Sequence, residues 1–437
     1  MSISRRDFLS GLGGAGLASA LNAAASAHSG TRTVPRNFIP SRFQRPDFVT
    51  AFTDFLKSHQ NQQGRNKLQH PNSYFIARGG KHVDPRGLAS SEVSAIAELD
   101  TAYNQIQSWD MNDSDPRDQK AILNARENLN VKARLYILSG RFNQDIQRIS
   151  EPETRFSQHV RALATLYLCL HGGDSELDEA AQLYLIEEMS KLDLPPQLGR
   201  ELENKMVIDI SERLLTDLDL RHALYRLRTL DKKLKLTEDE AAIRFESRNI
   251  IVSRINMHVH MAFQENPASF ILEKLPDEFN KDPSGIMIPL YGEDPDRQFN
   301  PLETLVHQAG GRLIFVNYDI EDTPGLVMTA LEESLHAVHN VWVQDLIKDR
   351  FQIHDTKYSF AQALFLNGLM YATYDHDACA QNLKSQCESS QHLYVQQPAE
   401  RWAKRPREKI AIMFFHHLKL QDYVQKTRDA FEILPSP

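Results

Sequence analysis

Glutamate and histidine recur at helical spacing in Leu331-Glu332-Glu333-Ser334-Leu335-His336-Ala337-Val338-His339. Coiled into an α-helix, Glu332, His336 and His339 fall within about 60° of one another, because residues three, four and seven apart share a face. Glu333 stands one step round. A carboxylate and an imidazole on successive turns can hold a divalent cation. The same pair can also be a solvated i,i+4 contact worth only about 0.2–0.5 kcal/mol. A further donor from another element separates the two cases.

Such a donor lies downstream, in Tyr394-x-x-x-Pro398-x-Glu400-x-x-Ala403. Glu332-Glu333-x-x-His336 followed by this segment resembles the core of gluzincin-type metallopeptidases, with H-E-x-x-H and then Y…P-x-E-x-x-A. There is one departure: Glu332 takes the place of the first histidine. The resemblance is confined to Val316–Ala403 and implies a zincin-like core. It implies Glu332, His336 and Glu400 as metal ligands, with His339 as an alternative ligand. Glu333 would be the general base on a water, and Tyr394 a hydrogen-bond donor to the developing oxyanion. A catalytic zinc takes three protein ligands from such a set. Two carboxylates and one imidazole are a harder set than two imidazoles and one carboxylate, which tilts preference toward Mn or Fe. If the replacement marks decay, no cofactor is expected. Two functional readings follow. One is an exported metal-dependent peptidase of peptide or cell-wall peptide bonds. The other is a catalytically inactive metallopeptidase-like domain that binds a peptide or protein. On either reading, Glu400 should come within about 6 Å of His336, close enough to share an ion.

The elements that must position these residues are mostly helical. Residues 90 to about 265 carry helical periodicity, as at Met206, Ile210, Leu214 and Leu218. Thr237-Glu238-Asp239-Glu240 is a capping box before a helix reaching Phe263. After Pro276, Ile286–Tyr291 and Arg312–Tyr318 read as strands, being short and rich in branched and aromatic residues. Thr323 is the expected N-cap of the motif helix, with Pro324 at its first position and the end near Lys348. Its apolar stripe is Leu331, Leu335, Val338, Trp342 and Leu346. Further helices are expected over 357–373, 399–419 and 421–433, with Pro406 kinking or splitting the second of them. The fold class is therefore mainly α: a helical N-terminal region, then a zincin-like α+β core with a small sheet. The expected organisation is a signal peptide over 1–27, a linker and irregular segment over 28–89, a helical domain over 90–275 and a metallopeptidase-like domain over 276–437.

Ser4-Arg5-Arg6-Asp7-Phe8-Leu9 matches a twin-arginine export signal, followed by a Gly/Ala-rich run and the A-x-A site Ala25-Ser26-Ala27. The expected partner is the twin-arginine export machinery and the expected location periplasmic or secreted, with no stable membrane anchor. Removing Arg5, Arg6 and Asp7 takes away one net positive charge, so −8 becomes about −9. An acidic chain of this kind points away from nucleic acid as a partner. Three cysteines are too few for a disulfide framework. Cys169 sits in an apolar run and reads as a buried thiol. Cys379 and Cys387 would stand about 12 Å apart on one helix, so pairing them requires a break between them. Other groups are weaker. His258 and His260 alternate as strand-borne ligands would, yet lie in a helical context. Asp375-His376-Asp377 fits a helix start, and His416-His417 a core edge. Arg401, Lys404, Arg405, Arg407 and Lys409 read as a solvated basic face or an anion site. Serine and cysteine hydrolase motifs are absent from the sequence.

Overall fold

Local punctuation divides most of the described residues into helices. The computed structural model describes residues 48–55, 84–88, 90–110, 116–171, 179–233, 235–276, 284–290, 299–320, 322–348, 350–351, 356–373 and 396–432. The segment 1–27 read as an export signal, Tyr394, Cys379, Cys387 and Asp375-His376-Asp377 lie outside the described residues. Residues 48–55 are helical, and after them come α1 (Ser94–Asp110), α2 (Pro116–Leu138), α3 (Arg141–Gln147), α4 (Pro152–His171) and α5 (Glu179–Ser190). Then come α6 (Pro196–Glu203), a π-helical turn (Asn204–Asp209), α7 (Ile210–Thr216), α8 (Leu218–Leu230) and α9 (Glu238–Ala262). The capping box expected before α9 is present: the Thr237 side chain accepts from the Glu240 N–H, and the Glu240 carboxylate accepts from the Thr237 N–H.

Three short strands follow: β1 (Ser269–Glu273), β2 (Gly285–Pro289) and β3 (Arg312–Asn317), in the order β1-β3-β2. β1 runs parallel to β3, with Phe270 opposite Ile314. β2 runs antiparallel to β3, with Met287 opposite Ile314. The fold class is as expected, mainly α with a small mixed sheet. β1 is an addition to the strands legible in sequence. Its residues, Ser-Phe-Ile-Leu-Glu, are almost all buried, so the alternation that marks a half-exposed strand is missing. Helix α10 (Pro301–Gln308) is also an addition, opened by a second capping box between Asn300 and Glu303.

α11 (Thr323–Ile347) carries the glutamate–histidine motif. Its N-cap is Asp322 rather than Thr323: the Asp322 carboxylate accepts from the Gly325 N–H at 2.9 Å. The Thr323 hydroxyl is committed elsewhere, donating to Asp231 Oδ2 at 2.6 Å. A carboxylate also complements the helix N-terminus better than a hydroxyl does. The expected stripe is in the core, with Leu331, Leu335 and Val338 fully buried. The opposite face is buried as well, because α11 packs against α9, β2, β3, α12 (Thr356–Thr373) and α13 (Pro398–His417). α13 runs as one helix through Pro406. α14 (Gln421–Glu432) closes against α13. One buried apolar cluster takes in residues from Phe48 to Val424. Among the described residues, no helix is long and apolar enough to cross a membrane.

Candidate metal centre

Burying α11 on all sides takes its polar residues out of water. Glu332, Glu333, His336 and His339 are all buried. A buried carboxylate is costly unless a partner compensates it. The partners come from α13, whose Pro398 sits in the first turn and whose Glu400 is buried. Glu400, Lys404 and Arg407 are four and then three residues apart, so they share one face of α13. That face meets Glu332 and His336, which share a face of α11.

One ligand atom each from Glu332, His336 and Glu400 lies within 4.8 Å of the others. His336 Nε2 stands 3.7 Å from Glu400 Oε1, inside the distance expected from the sequence. Lys404 Nζ lies 3.0 Å from Glu400 Oε2 and 3.7 Å from Glu332 Oε1. The Arg407 guanidinium is against the other oxygen of Glu332. Both carboxylates therefore face a cationic side chain. Burial keeps His336 below its ordinary pKa, against the pull of Glu400 and with help from Lys404, so its imidazole is neutral near pH 7. The same burial pulls Arg407 down to about 10.

Glu333 points toward the sheet. The Met287 N–H of β2 donates to its carboxylate, and burial together with the nearby Glu400 pushes its pKa up to about 8. Gly285 lets β2 come this close: a Cβ built there would lie 3.0 Å from Glu333 Cγ and 2.3 Å from Thr329 Cγ2. His339 is one turn beyond His336, with ring centroids 6.1 Å apart. It is packed among Trp342 and Phe360 and stands outside the three-residue donor group. Neither of its ring nitrogens has a hydrogen-bond partner, and burial pulls its pKa down to about 3.

The donor set suits a divalent cation in type: two carboxylates and a neutral imidazole, on two helices, out of bulk water. A tetrahedral zinc about 2 Å from each donor needs donor separations of about 3.3 Å. The observed spread, up to 4.8 Å, is wider. The two cations are the feature that opposes a metal here. Their pairing with Glu332 and Glu400 was missed in sequence, where the basic cluster reads as a solvated face or an anion site. Spacing was the available signal: Lys404 and Arg407 follow Glu400 at i+4 and i+7. Other members of that cluster are structural. Arg401 Nη1 donates to Ser190 O at 2.8 Å and Nη2 to Leu192 O, tying α13 to the end of α5. Lys409 pairs with Glu203.

Of the remaining candidates, His416 and His417 are exposed rather than at a core edge, while His258, His260 and Cys169 have structural roles. His258 Nε2 is 2.7 Å from Asp217, the N-cap of α8. His260 Nδ1 donates to Asn256 O at 2.8 Å within α9, two residues on and off the same face. Cys169 is a buried free thiol whose pKa burial pushes up to about 12. Compared with protein-family models, curated proteins and solved structures, the chain shows no significant match to any of the three.

Proposed function

We propose that this chain is a metallopeptidase-like hydrolase whose centre is Glu332, His336 and Glu400, acting on peptide bonds. The convergence of these three buried donors from α11 and α13 carries the reading. It is the arrangement that the gluzincin-like segments imply, reached by elements 64 positions apart (Glu400 minus His336). A divalent cation held there would supply Lewis-acid polarisation of a carbonyl. The protein's own part is to bind, orient and exclude water. Glu332 and Glu400 offer charge, His336 a neutral nitrogen. Glu333, beside the centre and the edge strand β2, is placed to take up and return a proton at its carboxylate. The carboxylate-rich donor set favours Mn or Fe over zinc.

A second reading is favoured by Lys404 and Arg407. They neutralise both carboxylates without any metal, as a scaffold kept only for binding would require. Metal titration of the purified full-length chain by calorimetry separates the two. The hydrolase reading expects one Mn²⁺ or Zn²⁺ per chain, lost in His336→Ala, and Glu333→Gln that keeps the metal while losing cleavage of a peptide library. A native protein that takes up no metal, or whose uptake ignores His336, would leave the non-catalytic reading standing.

A further inference from the structure

The two cations in the centre are not equivalent. Arg407 faces one oxygen of Glu332, whereas Lys404 faces both Glu332 and Glu400. Its ammonium therefore bridges the two carboxylates that a divalent cation would bridge. The carboxylates of Glu332 and Glu400 and the cations of Lys404 and Arg407 already compensate one another. Adding a divalent ion to that set leaves two uncompensated positive charges in a buried site, which low-dielectric surroundings penalise steeply. Withdrawing Lys404 removes one of them.

The lysine can withdraw. Its charge is a compact ammonium on a flexible four-carbon stem, without the planar, pre-organised fork that fixes a guanidinium on its partner. Its side chain is 15% exposed, so solvent lies within reach. Its backbone is fixed on α13, so it can leave the carboxylates without leaving the helix.

Resting on the proposed metal centre, we infer that Lys404 is a tethered counter-ion that competes with the divalent cation for Glu332 and Glu400. The competition sets how much free metal loads the centre. At low metal the ammonium bridges the carboxylates and holds α11 against α13. At high metal it is expelled toward solvent, and loading is weaker than the donor set alone would give.

Calorimetric titration with Mn²⁺ and with Zn²⁺ tests this on the full-length chain. Lys404→Met keeps the stem and drops the charge, and should bind at least about tenfold more tightly than the native protein. Lys404→Arg keeps the charge and should gain nothing. Equal or weaker binding by Lys404→Met, with His336→Ala still abolishing uptake, overturns the role of Lys404 and leaves the centre intact. No uptake by the native protein or by Lys404→Met overturns both. If Lys404→Met does not fold, the native protein gives a second measurement. Reductive methylation read by mass spectrometry should modify Lys404 several-fold faster with saturating Mn²⁺ than without it. An unchanged rate overturns the inference.

Discussion

An imidazole at position 332 would bring a neutral nitrogen where Glu332 brings a charge, and the consequences reach Arg407. That guanidinium is buried against the Glu332 carboxylate. Glu332→His alone puts a ring in place of that anion and leaves Glu408 as the carboxylate still acting on Arg407. Removing one member of a buried ion pair costs about 3–5 kcal/mol, because the other charge stays desolvated. Glu332→His should therefore lower stability in urea by about 1–3 kcal/mol, less than that range because Glu408 still compensates Arg407. Glu332→His with Arg407→Met should recover most of it, since neither charge then remains. The double variant should also bind zinc more tightly than the native chain, because one negative charge fewer and one softer donor suit that ion. Zinc binding no tighter than native would mean that position 332 is not a ligand position. Urea melts and calorimetry at one pH read both effects.

The elements that hold the centre were partly legible from sequence, for physical reasons. α11 announced itself through Leu331, Leu335, Val338 and Trp342 at helical spacing. β3 announced itself through branched and aromatic residues. β1 did not, since a strand buried on both faces has no alternation to show. Thr323 was the wrong cap because its hydroxyl serves Asp231, a residue 92 positions away that no local pattern contains. The grouping of Glu332, His336 and Glu400 was legible because helix geometry fixes i and i+4 and the downstream segment resembles a known core. Its cationic partners were not, because whether Lys404 and Arg407 face water or α11 depends on how two helices pack. The close approach of β2 to α11 is equally non-local, and Gly285 tests it. A methyl there would lie 2.3 Å from Thr329 Cγ2 and 3.0 Å from Glu333 Cγ. Gly285→Ala must push the strand from the helix and lengthen the Met287–Glu333 contact. Overpacking of this kind costs typically about 1–3 kcal/mol. A lower melting temperature is expected, and unchanged stability would show that β2 can shift freely.

Across the whole molecule, several ionisable groups are carried into the core, and folding must therefore respond to pH. His260 gives the clearest case. It is fully buried on α9, its Nδ1–H donates to Asn256 O, and its Nε2 has no partner. Burial pulls its pKa from 6.5 to about 4, only partly opposed by the Asn256 hydrogen bond. Between those values the unfolded chain binds a proton at this residue and the folded chain does not. Stability from His260 is therefore complete above about pH 6.5 and lost as pH falls through about 4. A gap of this size corresponds to roughly 3 kcal/mol. Glu333 acts in the opposite sense: its pKa is raised, so it favours the folded chain at low pH and opposes it as pH rises toward about 8. His159 and His339, lowered by burial to about 4 and about 3, add to the acid limb, so the buried histidines together outweigh Glu333 as pH falls. His260→Gln keeps a polar side chain that cannot take up a proton in this range. Its absolute stability will differ from native for packing reasons, so the slope is the informative quantity. Urea midpoints from pH 7 to pH 4 should fall less steeply for His260→Gln than for the native chain. Parallel slopes would mean that His260 accepts its proton as readily folded as unfolded, and that α9 opens to water at this turn.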